Sequence, residues 1–241
     1  MNLRKTKKPK KLKIAIIGLG YVGLPLLHKF IVSEKYDVIG IDNDKNKIAN
    51  LINGKSYISH ISNEQIKFIG NNSKHLTNNF KLIKNCDCII FALPTPITKN
   101  KDPDMSYISS ALKSSKNYFK KNQLIILEST VYPGATEEYF LPVLYDKGFK
   151  VGKNIFLGYS PEREDPGNKN YSISNITKLV SGFSKTCASK CANIYNSIEI
   201  KTKKVSSIKT AEITKLYENI FRSVNSDIKD WGDLKGKTIL T

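Results

Sequence analysis

The sequence predicts an α/β fold, a doubly wound and mostly parallel sheet followed by the start of a long central helix. Three observations predict it: a glycine-rich turn set between an apolar strand and a helix, short buried strands alternating with helical stretches as far as residue 205, and a helical apolar pattern beginning at Ser207.

The first strand is the run Ile14-Ala-Ile-Ile17, too brief for a helix, and Gly18, Gly20 and Gly23 follow it in the spacing G-x-G-x-x-G. In a Rossmann-type unit Gly18 makes the sharp turn, Gly20 lets the backbone approach a pyrophosphate, and Gly23 lets the helix pack closely on the strand. The pyrophosphate then meets the free N–H groups of the helix N-terminus, which brings Tyr21 and Val22 into the expected contact set. A glycine triplet alone also marks ordinary loops, so the next element decides. Asp37-Val-Ile-Gly-Ile-Asp42 is a second apolar strand ending on an acid, where a carboxylate accepts both ribose hydroxyls of NAD. The same charge repels the 2′-phosphate of NADP, although Lys45 and Lys47 stand close to Asp42 in sequence, and Lys47 joins the expected cofactor contacts.

Asp44 to Gly54 reads as the second crossover helix, with Ile48, Leu51 and Ile52 apolar and Gly54 as its stop. Ser56 to Asn79 is polar and fits no single pattern. Cys88-Ile-Ile-Phe-Ala-Leu93 reads as a central parallel strand delivering Pro94-Thr-Pro96 to the ligand edge, which makes Thr95 a cofactor contact. Ser106 to Phe119 is helical in pattern. Gln123 to Leu127 is the next buried strand, ends in Glu128-Ser-Thr130, and precedes a helix from about Ala135. Asn154 to Tyr159 leads into the charged loop Ser160 to Gly167; Leu179 to Phe183, a helix through Cys187 to Tyr195 and a short extended segment complete residues 12–205. From Ser207, Ile213, Leu216, Tyr217 and Ile220 are spaced for one apolar face, while Lys215 and Asn219, four apart, project from one side.

Composition narrows the classes. The net charge of +18 invites nucleic acid, but the lysines are spread along the whole chain and no nucleic-acid-binding motif accompanies them, so no specific nucleic-acid partner is expected. No apolar run is long enough for a membrane span. Residues 1–11 read as a basic, solvated tail. Three glycines and Pro25 interrupt the apolar stretch after it, which argues against a signal peptide and makes the cytoplasm the expected location. Cys86, Cys88, Cys187 and Cys191 show neither a disulfide framework nor, lacking neighbouring histidines, a metal site.

Five motifs in order resemble the UDP-glucose/GDP-mannose dehydrogenase family, nearest the branch that oxidises UDP-N-acetylglucosamine or its epimers at C6. They are Gly18-Leu-Gly-Tyr-Val-Gly-Leu-Pro25, Leu93-Pro-Thr-Pro96, Glu128-Ser-Thr-Val-Tyr-Pro-Gly-Ala-Thr-Glu-Glu138, Tyr159-Ser-Pro-Glu-Arg-Glu-Asp-Pro-Gly-Asn168 and Lys215-Leu-Tyr-Glu-Asn219. The resemblance implies a Rossmann-type NAD-binding domain over residues 12–205, the start of the central helix over 206–225, and two successive NAD-dependent oxidations of a UDP-sugar alcohol to the acid for surface polysaccharide. It assigns Thr130, Glu162, Lys215 and Asn219 to catalysis, the last three also to substrate binding with Arg163, and Thr130 to the cofactor as well. Such a set is chemically apt, since an ammonium and an amide stabilise a developing oxyanion and a carboxylate orders water or takes a proton. Taken without the resemblance, Lys215 and Asn219 read as solvated helix-face residues, Thr130 as a helix cap, and Glu162 as a partner for Arg163 or a lysine. The family's nucleophilic cysteine sits in a Gly-Gly-x-Cys motif that this sequence does not contain. Residues 226–241 depart from the family pattern and read as the tail of a truncated or fused reading frame. The family's homo-oligomer contacts on the central helix are in question for that reason.

Overall fold

The computed structural model describes residues 11–58, 61–72, 75–100, 102–162 and 177–227, the side chains of 222–227 excepted. The basic tail before Lys11, Arg163 and the 226–241 tail beyond Asp227 lie outside the described residues.

The chain alternates as expected. Strand β1 (Leu12–Ile17) is followed by α1 (Gly23–Val32), β2 (Tyr36–Ile41) and α2 (Lys45–Ile52), and Asp44 caps α2 by accepting from the N–H groups of Asn46 and Lys47. The patternless stretch after Ser56 holds two further elements, α3 (Asn63–Asn72) and β3 (His75–Thr77). Both are obscure in sequence for a physical reason: α3 buries only Ile66 and Ile69, and β3 is a three-residue edge strand paired on one side. Then come a 3-10 turn (Phe80–Asn85), β4 (Cys88–Phe91), α4 (Ser106–Ser115), β5 (Leu124–Leu127), α5 (Ala135–Asp146) and β6 (Phe156–Tyr159). The remainder is β7 (Lys178–Gly182), α6 (Lys185–Ser197), β8 (Thr202–Lys204) and α7 (Ile208–Asp227). Helix α7 thus runs two residues past the expected boundary at residue 225.

The eight strands form one sheet in the order β3-β2-β1-β4-β5-β6-β7-β8. All neighbours from β3 to β6 are parallel; β7 runs antiparallel to β6 and carries β8 parallel to itself. Alternation along β1 feeds two cores. Ile14 and Ile16 pack with Leu27 and Phe30 of α1 and Tyr195 of α6, whereas Ala15 and Ile17 pack with Ile108 of α4, Phe140 of α5 and Ala211 of α7. Helices therefore cover both faces, which leaves the carboxyl ends of the parallel strands as the place for a ligand.

Candidate functional site

The winding reverses between β1 and β4, and a cavity of about 750 Å³ opens there beyond the strand ends. Gly18, Gly20, Tyr21, Val22, Asp42 and Lys47 line one side of it, and Leu93, Pro94 and Tyr107 the other. Gly18 has φ of +94°, and a Cβ there would lie 2.3 Å from the Ala92 carbonyl oxygen. A Cβ on Gly23 would stand 1.8 Å from the Gly18 oxygen, so the helix start packs against the turn itself as well as Ala92. Around Gly20, by contrast, an added Cβ meets nothing within 4 Å. That open floor, at the N-terminus of a helix, fits the close approach of a dinucleotide pyrophosphate.

Asp42 is buried, at 6% exposure, and already employed. Its Oδ2 accepts the Leu19 N–H at 2.9 Å, its Oδ1 accepts the Asp44 N–H at 3.0 Å, and the Lys47 ammonium stands 3.7 Å away. The acid therefore ties the second strand to the glycine turn. Tyr57, which sequence reasoning misses, donates its hydroxyl to the Leu19 carbonyl at 2.6 Å and lines the same cavity. Gly23, Thr95 and Thr130 do not line it. Thr95, one residue past Pro94, gives its hydroxyl to the Thr130 carbonyl at 2.5 Å, and Ser129 Oγ both accepts from and donates to the Leu93 backbone. These bonds join the loops after β4 and β5. Thr130 is not a helix cap, since the N-cap of α5 is Gly134.

At the other end of the same sheet edge lies a buried charge cluster. Lys178 Nζ sits 3.4 Å from Glu128 Oε1 and 3.5 Å from Glu162 Oε2, and 5.2 Å from the centre of the Tyr195 ring. The Tyr195 hydroxyl donates to the same Glu128 oxygen, while Glu128 Oε2 has no hydrogen-bond partner among the described residues. Burial, only partly offset by Lys178, raises the Glu128 pKa above the usual carboxylate value. Burial disfavours the Lys178 ammonium too, but Glu128 and Glu162 outweigh it and raise the lysine's pKa. Pairing with a lysine, one of the two readings open for Glu162, is thus what its side chain shows.

Helix α7 corrects one expectation. Of the face made by Ile213, Leu216, Tyr217 and Ile220, only Leu216 is half-buried; Ile213, Tyr217 and Ile220 are more than half exposed, as is Phe221, which stacks on Tyr217. The packed side, where α7 lies against the short strands β6 and β7, carries Ile208, Ala211, Glu212 and Lys215. Lys215 is buried rather than solvated, and Asn219 is half-buried. Glu212, also missed from sequence, accepts the N–H groups of Gly134 and Thr136 at 2.5 and 2.9 Å and the Thr136 hydroxyl at 2.6 Å. It caps α5 from another helix and fixes the register in which α7 presents Lys215 one turn later.

Residues 12–199 match the UDP-glucose/GDP-mannose dehydrogenase family, NAD binding domain. The chain belongs to this family. A UDP-N-acetyl-D-glucosamine 6-dehydrogenase from Pseudomonas aeruginosa is 39% identical over 218 residues, 90% of this chain and 51% of the relative. A UDP-N-acetyl-D-mannosamine dehydrogenase from Methanococcus aeolicus is 34% identical over 93% of this chain and 51% of its own length. Among solved structures, a UDP-D-ManNAc dehydrogenase from Pyrococcus horikoshii superposes with a TM-score of 0.81 at 29% identity, over 89% of this chain and 51% of the other. The chain spans about half the length of the relatives it matches. NAD is accordingly the cofactor of the family domain that the cleft belongs to.

The cysteines behave as packing residues in this member of the family. All four are free and buried, and burial pushes the Cys86 thiol up to about 12 and those of Cys88 and Cys191 well above the ordinary value. No group of His, Cys, Asp and Glu among the described residues could hold a metal ion, and no helix among them is long and apolar enough to cross a membrane.

Proposed function

We propose that this chain is the cofactor-binding part of an NAD-dependent UDP-N-acetylhexosamine 6-dehydrogenase acting in surface polysaccharide synthesis, with a UDP-sugar as its substrate. One observation carries the reading: a glycine turn open only at Gly20, held by a buried acid at the second strand end, stands at the switch point of the sheet. NAD supplies the hydride acceptor for both oxidations. The alcohol loses one hydride and one proton to become the aldehyde; by the resemblance, a thiolate of the family's Gly-Gly-x-Cys motif, which this sequence does not contain, then adds to the aldehyde, loss of the second hydride leaves a thioester, and water hydrolyses it to the acid and returns the thiol. Within this chain the turn and Asp42 hold the dinucleotide. In this reading Glu162 orders water or takes the proton, a role the resemblance supports. Lys215, buried, and Asn219, one turn further along α7, stabilise the oxyanion in the same reading.

A second reading, that the chain in this form binds NAD without completing turnover, is favoured by the burial of all four cysteines in the core, away from the cleft. Calorimetric titration with NAD tests the first part. Asp42→Ala is expected to weaken NAD about 10- to 100-fold, since hydrogen bonds to a charged group are lost both from the ribose and from Leu19; unchanged affinity overturns the cofactor assignment. Following NADH absorbance with UDP-N-acetylglucosamine in the same samples separates the two readings, because sustained formation of the acid excludes the second.

A further inference from the structure

We propose that Tyr57 is a positioning residue for the dinucleotide: with Asp42 it holds the two peptide groups of Leu19, and so aims the backbone of the glycine turn at the pyrophosphate. The inference rests on the reading of the cleft as an NAD site.

Leu19 is the middle residue of Gly18-Leu-Gly20, its side chain fully buried. Its N–H is taken by Asp42 Oδ2 at 2.9 Å and its carbonyl by the Tyr57 hydroxyl at 2.6 Å. The first bond fixes the plane of the Gly18–Leu19 peptide and the second that of the Leu19–Gly20 peptide. Because a trans peptide points its C=O and N–H in opposite directions, a carbonyl held toward Tyr57 turns the Gly20 N–H away from it. A glycine on each side of Leu19 would otherwise leave these peptides easy to rotate, since glycine visits both signs of φ. The two bonds therefore set beforehand an orientation that binding would otherwise have to select.

Tyr57 is placed for this by its own loop. Ser56 N–H donates to Asn63 Oδ1 at 2.7 Å, and Ser56 Oγ donates to the Ile58 carbonyl at 2.8 Å, which folds the segment after α2 back over the turn. The leucine carbonyl can only accept, so the phenol must keep its proton. Burial, with Asp42 and Asp44 nearby, raises the Tyr57 pKa and keeps the hydroxyl a donor.

The test compares wild type with Tyr57→Phe, which keeps the ring and removes the hydroxyl. NAD and adenosine, which lacks the pyrophosphate, are titrated into each, by calorimetry and by chemical-shift perturbation respectively. The expected result is a roughly 3- to 10-fold weaker NAD complex, the loss of about one hydrogen bond, with adenosine binding changed less than twofold. Amide exchange of the free protein, read over residues 18–23, is expected to quicken several-fold in the variant while β4 stays as protected as before. Equal NAD affinity, an equal loss for both ligands, or unchanged exchange in the turn each overturns the role of Tyr57. A wild-type chain that binds neither ligand overturns the cofactor reading and this inference with it, whereas NAD binding by wild type with an indifferent Tyr57→Phe sinks the inference alone.

Discussion

Two ends of one sheet edge solve opposite problems. At the β1/β4 cleft the protein keeps space open: its polar bonds converge on the backbone of one residue, Leu19, and its buried acid, Asp42, is faced by the partly exposed Lys47. At the β5/β7 end it fills space with charge, setting the buried Glu128, Lys178 and Tyr195 hydroxyl together with the partly buried Glu162. The cleft gains its shape from bonds that are weak individually and matter through geometry. The cluster is held by interactions whose loss is costly, because an ion left buried without its partner has no water to replace it. Substitutions should therefore act on ligand affinity at the first end and on stability at the second.

The harshest test of that division is Lys178→Met. Removing the ammonium strands Glu128 at full burial, and the expected cost is about 3–5 kcal/mol of unfolding free energy, read from urea denaturation. NAD affinity of the folded fraction should change less than about twofold, the cleft being built from other residues. Adding Glu128→Gln should recover most of the loss. A cost below about 1 kcal/mol would mean that the cluster is hydrated, and a large loss of NAD affinity in folded protein would erase the distinction between the two ends.

A smaller effect is expected between the two regions. Glu212 joins α7 to the N-terminus of α5 through three hydrogen bonds. Glu212→Ala should cost about 2 kcal/mol, the sum of a lost helix cap and charge-assisted bonds, with faster amide exchange in the first turn of α5. Retention of full stability would show that water replaces the carboxylate there.

The same contrast explains what is legible in the sequence. The cleft is written in a short stretch: three glycines whose spacing admits few other structures, then an acid at the next strand end. Thus Gly18, Gly20, Asp42 and even the partly exposed Lys47 are readable from residue order alone. Tyr57 is not, because its role depends on a hydroxyl reaching a carbonyl across 38 positions of chain from within a patternless polar segment. The cluster draws Glu128, Glu162, Lys178 and Tyr195 from β5, β6, β7 and α6 or their ends, and no local spacing links them. Lys178 in particular reads as the polar start of an apolar strand. The exposed stripe on α7 misleads because periodicity shows that a helix has an apolar face, not which face the sheet takes.

The most delicate comparison is one of pH dependence at the closed end. Glu128 has its pKa raised in the folded chain, chiefly by burial. A carboxyl of that kind favours the fold fully while protonated in both states, and its contribution falls as pH rises from the ordinary glutamate value through the raised one. The neighbours do not titrate in this window. Lys178, raised in turn, stays charged until above the ordinary lysine range, and burial keeps the thiols of Cys88 and Cys191 and the hydroxyl of Tyr195 protonated. Glu162, the remaining carboxylate, acts through its charge to raise the Glu128 pKa further, so it strengthens the same trend. Glu128→Gln is neutral at every pH and still offers Tyr195 an acceptor. The stability of wild type minus that of Glu128→Gln should therefore decline as pH rises above the ordinary glutamate value, in urea titrations run at a series of pH values from acid to neutral. At the cleft, the corresponding difference between wild type and Tyr57→Phe should stay flat, since Tyr57 keeps its proton throughout. A difference that rises with pH at Glu128 would mean that Lys178 and Tyr195 overcompensate burial and that the carboxylate, not the acid, is the form the fold prefers.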